Sequence, residues 1–138
     1  MIVLDEQLNS DSVAKDFGAW DGRIVTMPQL GWAGLSDESI LRILRQHRGC
    51  TFVTINHRDF WNVVDGDARC AIICLSLPTR REDEASDWVH RLFRMAPFST
   101  QRARSGHVIK ITAHADGAPR VWYYRRRSER RLGPVPLP

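Results

Sequence analysis

No apolar run in these 138 residues approaches the roughly 18–20 residues needed to cross a bilayer, so a membrane-spanning protein is not expected. Cysteine is scarce and odd in number, at three, with no framework spacing. Cys70 and Cys74 lie four apart inside an apolar run and Cys50 begins another, so free buried thiols are expected rather than a disulfide scaffold. The five histidines are scattered, which leaves a zinc centre without its second ligand pair. A glycine-rich phosphate loop is lacking, which argues against nucleotide or dinucleotide binding. Asp65-Gly66-Asp67 lacks the further ligands of a calcium loop and reads as a turn. There is no internal repeat. The start, Met1-Ile2-Val3-Leu4 followed by Asp5-Glu6, lacks the basic region and cleavage site of a signal peptide, and a cytoplasmic location is expected.

What is present suits one domain with one core: 43% of residues are apolar and 26% charged. The net charge of +4 hides an asymmetry. Residues 1–69 carry seven Lys/Arg against ten Asp/Glu, a balance of −3, while residues 70–138 carry thirteen against six, a balance of +7. Such a division suits a cation site beside a surface for a polyanion.

Periodicity reads as alternating strands and helices. Met1–Leu4, Arg23–Met27, Cys50–Ile55 and Arg69–Leu77 are apolar, β-rich runs closed by acids, Pro28, Asn56 and Pro78. A short helix is expected around Val13, Ala14 and Phe17. The clearest helix follows Ser36 as cap, with Asp37 and Glu38 at its positive end, Ile40, Ile43, Leu44 and His47 at helical spacing, and Gly49 beyond. Another begins at Glu82-Asp83-Glu84, buries Trp88, Leu92 and Met95, and ends at Pro97. His107–Ala113 and Arg120–Arg125 flank Asp116-Gly117 as a hairpin. Arg125–Arg131 and the final Leu-Gly-Pro-Val-Pro-Leu-Pro have no apolar period, so residues 126–138 are expected to be a basic, Pro-rich, flexible tail. The order predicts an α/β fold with a mostly parallel sheet covered on both faces.

In such sheets, sites form outside the carboxyl ends of the strands. Asp5 and Glu6 stand at the end of the first strand, Asn56 and Asp59 after the third, and Asp37 and Glu38 at the start of a helix on the same edge. Acids converging from three segments without nearby lysines repel one another, and a hard cation such as Mg²⁺ or Mn²⁺ relieves that repulsion. The plain structural roles stand beside this one: Asp37 as a helix-terminal acid, Asp59 in a turn, Asp5 and Glu6 in a loop. Thr54 can hydrogen-bond a carboxylate or simply be a β-branched strand residue. His57 can assist proton transfer, touch phosphate, or be an exposed turn residue.

Three stretches, Val3-Leu4-Asp5-Glu6-Gln7-Leu8, then Leu30-Gly31-Trp32-Ala33-Gly34-Leu35-Ser36-Asp37-Glu38-Ser39-Ile40, then Phe52-Val53-Thr54-Ile55-Asn56-His57-Arg58-Asp59-Phe60, occur in that order on the elements just derived. Together they resemble a PIN-like domain, and more narrowly the small bacterial and archaeal PIN-like proteins related to VapC-type toxins. The likeness covers residues 1–125 and includes the closing hairpin. It implies a three-layer α/β/α domain, a mostly parallel central sheet and Mg²⁺- or Mn²⁺-dependent cleavage of RNA. It also implies a toxin paired with an antitoxin protein. Carried over by position, Asp5, Asp37 and Asp59 are the catalytic and metal-binding acids, with Glu6 and Asn56 as further ligands. Asn56 stands where the pattern usually has Asp, one extra residue follows Thr54, and the mid-chain Glu of the better-known toxins has no clear counterpart. The implied chemistry is inversion at a phosphodiester by metal-activated water, without a covalent enzyme intermediate.

The basic half suits the RNA backbone, because arginines fork onto phosphate oxygens. Arg58, Arg125, Arg126 and Arg127 are the expected RNA contacts. Arg80, Arg81, Arg91, Arg94, Arg102, Arg104 and Lys110 form a broader basic surface that can hold the backbone or simply keep the protein soluble, and Trp122, Tyr123 and Tyr124 are available to stack on bases or to pack in the hairpin. The competing reading is a catalytically weak RNA-binding or protein-interaction module of the same fold. Homodimerisation is compatible with either.

Overall fold

A computed structural model describes residues 1–8, 15–17, 24–47, 49–55, 61, 70–125 and 130–138, with Glu6, Thr79, Arg80 and Glu82 described in backbone only. Seven strands form one sheet: β1 (Ile2–Leu4), β2 (Ile24–Thr26), β3 (Cys50–Thr54), β4 (Cys70–Ser76), β5 (His107–Ala113), β6 (Pro119–Arg125) and β7 (Leu132–Pro136), in the order β2-β1-β3-β4-β5-β6-β7. Strands β2 to β5 along that order are mutually parallel. The last two pairings, β5 with β6 and β6 with β7, are antiparallel, so the sheet is mixed rather than mostly parallel throughout.

The largely apolar runs of β1, β3 and β4 are buried on both sides, and alternate residues feed two cores. On one face Ile2, Leu4, Val53, Ile73 and Leu75 pack against Phe17 and helix α2 (Ala85–Leu92), whose Trp88, Val89 and Leu92 are buried. On the other, Val3, Phe52, Ile72 and Cys74 pack under α1 (Asp37–Gln46) through Ile40 and Leu44, together with Met27 and Trp32. Burying a side chain of that size contributes roughly 1.5–3 kcal/mol, which fixes α1 over the sheet by its one apolar stripe. A short helix α3 (Gln101–Arg104), capped by the Thr100 hydroxyl, leads into β5.

Sequence predicts a flexible tail over 126–138, and this needs correction for the residues described. Leu132–Pro136 form edge strand β7, Leu137 is buried in the α2-side core, and Arg91 donates to the Pro138 carbonyl at 2.9 Å. Gly133 adopts φ +114°, and a Cβ there would run into the Val121 carbonyl of β6. Gly133→Ala is therefore expected to cost about 1–3 kcal/mol, read as a lower urea midpoint with amide exchange rising first in β6 and β7. An unchanged midpoint would remove β7 from the folded body.

Candidate active site

The chain leaves β1 for β2 on one side and, after α1, returns to β3 on the other side of β1. The C-terminal ends of β1 and β3 are thus the switch point of the parallel part of the sheet, where a crevice forms. Asp5 follows β1 directly. Its backbone N–H donates to the Val53 carbonyl at 2.9 Å and its own carbonyl accepts from Leu8 N–H at 2.9 Å, through a 3₁₀ turn over Glu6–Leu8. The Asp5 side chain is only 9% exposed, so it requires polar partners. One partner is Thr54, the last residue of β3, fully buried, whose hydroxyl donates to Asp5 Oδ2 at 2.5 Å. The carboxylate role for Thr54 holds.

Asp37 arrives by a second route. Met27 N–H donates to the Leu4 carbonyl at 3.0 Å, tying the end of β2 to β1. A 3₁₀ turn over Pro28–Leu30 follows, then Gly31 at φ +75° and the Trp32 N–H bonded back to Met27. Ser36 caps α1 by accepting from the Ser39 N–H at 3.2 Å, which sets Asp37 as the first helical residue, half-buried. Its charge suits the positive end of the helix dipole.

Asp5 and Asp37 line one cleft with Gln7, Met27, Gly34, Leu35 and Ile40, and no basic residue is among those described there. At about 210 Å³ it lies below the roughly 300–1,000 Å³ of ordinary small-molecule pockets. Two carboxylates and an amide supply hard oxygen donors, a set that fits Mg²⁺ or Mn²⁺ and not a thiophilic metal. Among the described residues no three of His, Cys, Asp and Glu converge as a metal-binding group. The third acid expected from sequence, Asp59, lies outside the described residues, as do Asn56, His57 and Arg58, and the Glu6 side chain is likewise not described. Gln7 is a lining residue that the strand-end acids do not point to, and its signal in the sequence is its place in the Val3–Leu8 stretch, two residues beyond Asp5.

Several described cations of the basic half are engaged within the fold. Arg125 is exposed but pairs in register with His107 at the start of β5, so it lies at the edge of the sheet opposite the acids. At about 3.3 Å per residue, the length of β5 puts roughly 20 Å between those edges. Arg126 and Arg127 lie outside the described residues. Arg81 is held by Glu84, Arg91 by Asp87 at 3.6 Å and Arg120 by Asp116 at 3.4 Å. Arg104 is buried at 7% exposure and is no surface cation. Lys110 sits over the Trp61 ring at 4.5 Å, and burial beside Arg131 holds its ammonium below the usual range. Tyr124 is buried and donates its hydroxyl to the Trp61 carbonyl, so it packs rather than stacks on bases. Arg94 and Arg102 remain exposed.

Comparison with protein-family models, with curated proteins and with solved structures found no match to this chain.

Proposed function

We propose that this chain is a PIN-like, metal-dependent ribonuclease whose centre is the Asp5–Asp37 cleft. The observation that carries the reading is the meeting of two acids, 32 residues apart in sequence, in one cleft at the switch point between β1 and β3. Thr54 fixes the Asp5 carboxylate there, and the cap at Ser36 fixes Asp37. Asp5 and Asp37 would hold Mg²⁺ or Mn²⁺, with Asp59, Asn56 and Glu6 as the further ligands that the resemblance implies. A bound divalent ion would supply acidified water and polarise a phosphodiester oxygen. The chain's own part is to present oxygen ligands on rigid strand and helix ends in a narrow, anionic cleft. An RNA backbone entering it needs that positive ion to offset the two carboxylates. The toxin role, and the antitoxin it would require, rest on the resemblance alone.

Labelled single-stranded and structured RNA incubated with the purified chain tests the reading. Cleavage is expected with Mg²⁺ or Mn²⁺ and should vanish with excess chelator. Binding without cleavage in any divalent metal would instead make the chain an RNA-binding module.

A further inference from the structure

Two of the three cysteines meet at the edge of the sheet opposite the acids. Cys50 opens β3, Cys70 opens β4, and the two are Cα partners in the parallel register. Neighbouring strands run about 4.7–4.9 Å apart. That spacing falls inside the roughly 4.4–6.8 Å between Cα atoms that a disulfide accepts. Both side chains point to the α1 face, where they join one core with Phe52 and Ile72. Their sulfurs stand 2.7 Å apart, and both residues are fully buried and not joined in a disulfide. Gly49, immediately before Cys50, is exposed, so the path from solvent is short.

The Cys70 thiol has a second relationship. It reaches the carbonyls of Leu44 at 3.1 Å and His47 at 2.9 Å. The Leu44 carbonyl also accepts from the His47 N–H at 3.3 Å, and His47 is the residue that caps α1, so this thiol adds a contact to the C-terminal cap of α1, the helix that carries Asp37 at its other end. Cys74 provides an internal contrast. It lies further along the same strand face, but its register partners are Thr54 and Lys110, not cysteines.

We propose that Cys50 and Cys70 form a reversible dithiol–disulfide couple whose reduced state holds the last turn of α1. The oxidant is a hydroperoxide. One sulfur attacks the peroxide, breaking the O–O bond to give a sulfenic acid and releasing an alcohol, or water from hydrogen peroxide. The second sulfur displaces the sulfenic oxygen as water, and both thiol protons leave in the released products. Two electrons pass from the sulfur pair to the peroxide, and a dithiol reductant reverses the step. Oxidation removes the Cys70 S–H and with it the donor to Leu44 and His47. This inference stands apart from the nuclease reading, since it needs neither metal nor RNA.

The test treats the full chain with hydrogen peroxide and, separately, refolds the reduced chain in excess oxidised glutathione, so that burial cannot hide the pair. Alkylation in denaturant and peptide mass mapping should show two of three thiols lost and a Cys50–Cys70 linked peptide about 2 Da lighter, restored by dithiothreitol. Cys74→Ser should leave the link intact. Cys50→Ala, which leaves the Cys70 hydrogen bonds in place, should abolish it. In the oxidised chain, amide exchange over residues 44–47 should rise several-fold. Three alkylatable thiols after both treatments, oxygen adducts on Cys50 or Cys70 instead of a link, or a link through Cys74 would each overturn the couple. A linked chain with unchanged exchange at 44–47 would overturn its hold on α1.

Discussion

Asp5→Asn is expected to lower metal-dependent RNA cleavage by about 100-fold or more while leaving the fold in place. Loss of groups one shell removed from a metal already costs roughly 10–100-fold, and a direct carboxylate ligand should cost at least as much. Asn preserves the shape of Asp and an oxygen that can still accept from the Thr54 hydroxyl, so the buried position keeps a partner. What disappears is one negative charge in a cleft whose described lining contains only two acids. Asp37→Asn should act in the same direction, with an added stability loss of about 0.3–1 kcal/mol from the α1 dipole. Cleavage rates in Mn²⁺, Mn²⁺ affinity and thermal midpoints measured on both variants separate these effects. Full cleavage by either variant would remove that acid from the centre. Weakened Mn²⁺ binding would support it, with an unmoved midpoint for Asp5→Asn and a slightly lowered one for Asp37→Asn.

How much of this was legible in the chain depends on whether hydropathy and local signals agree. They agree at β1, β3 and β4, where apolar and β-branched runs are satisfied by cover on both faces. They agree at α1, where the Ser36 cap precedes Ile40 and Leu44 at helical spacing, and at the hairpin around Asp116-Gly117. Asp5 and Asp37 follow from the strand-end rule, because backbone direction alone puts them on one rim, whereas Thr54 reads equally as a carboxylate partner or a β-branched strand residue until its hydroxyl is placed on Asp5. The disagreements are equally instructive. β7 carries prolines that read as a strand breaker, but it is an edge strand, where missing N–H groups need not break a ladder. α3 has four residues and no apolar period, and its cap at Thr100 was the sole local signal. The edge on which Arg125 sits depends on β6 running antiparallel, so among the described residues Arg125 stands away from Asp5 and Asp37 in spite of the charge asymmetry.

Arg104→Ala is expected to destabilise the fold by about 3 kcal/mol, lowering the thermal midpoint by roughly 10 °C, without reducing the salt dependence of RNA binding. Sequence reads Arg104 as part of a broader basic surface, because its charge and its Arg-rich neighbours look like surface. The structure instead inserts it between α3 and the sheet. Nη1 donates to the Phe98 carbonyl at 2.8 Å, Nε to the Thr51 hydroxyl at 3.3 Å and Nη2 to Gln101 Oε1 at 3.4 Å. The guanidinium also lies 3.8 Å from the centre of the Phe93 ring. Burial pushes its pKa down to about 10, so it stays charged at neutral pH and its retention there costs desolvation. The hydrogen bonds and the ring offset that cost. Truncation would orphan the Phe98 carbonyl, at about 1–3 kcal/mol, and forfeit a cation–π contact worth up to about 2 kcal/mol when desolvated. It would also leave a void where the stem packs. Arg104→Lys keeps the charge but lacks the fork, and should lose most of the same stability. Arg102→Ala, exposed on the same short helix, should be within about 0.5 kcal/mol of the parent. Urea unfolding of the three variants decides the matter. An Arg104→Ala midpoint matching that of Arg102→Ala would return Arg104 to the surface and reopen its role in holding phosphate.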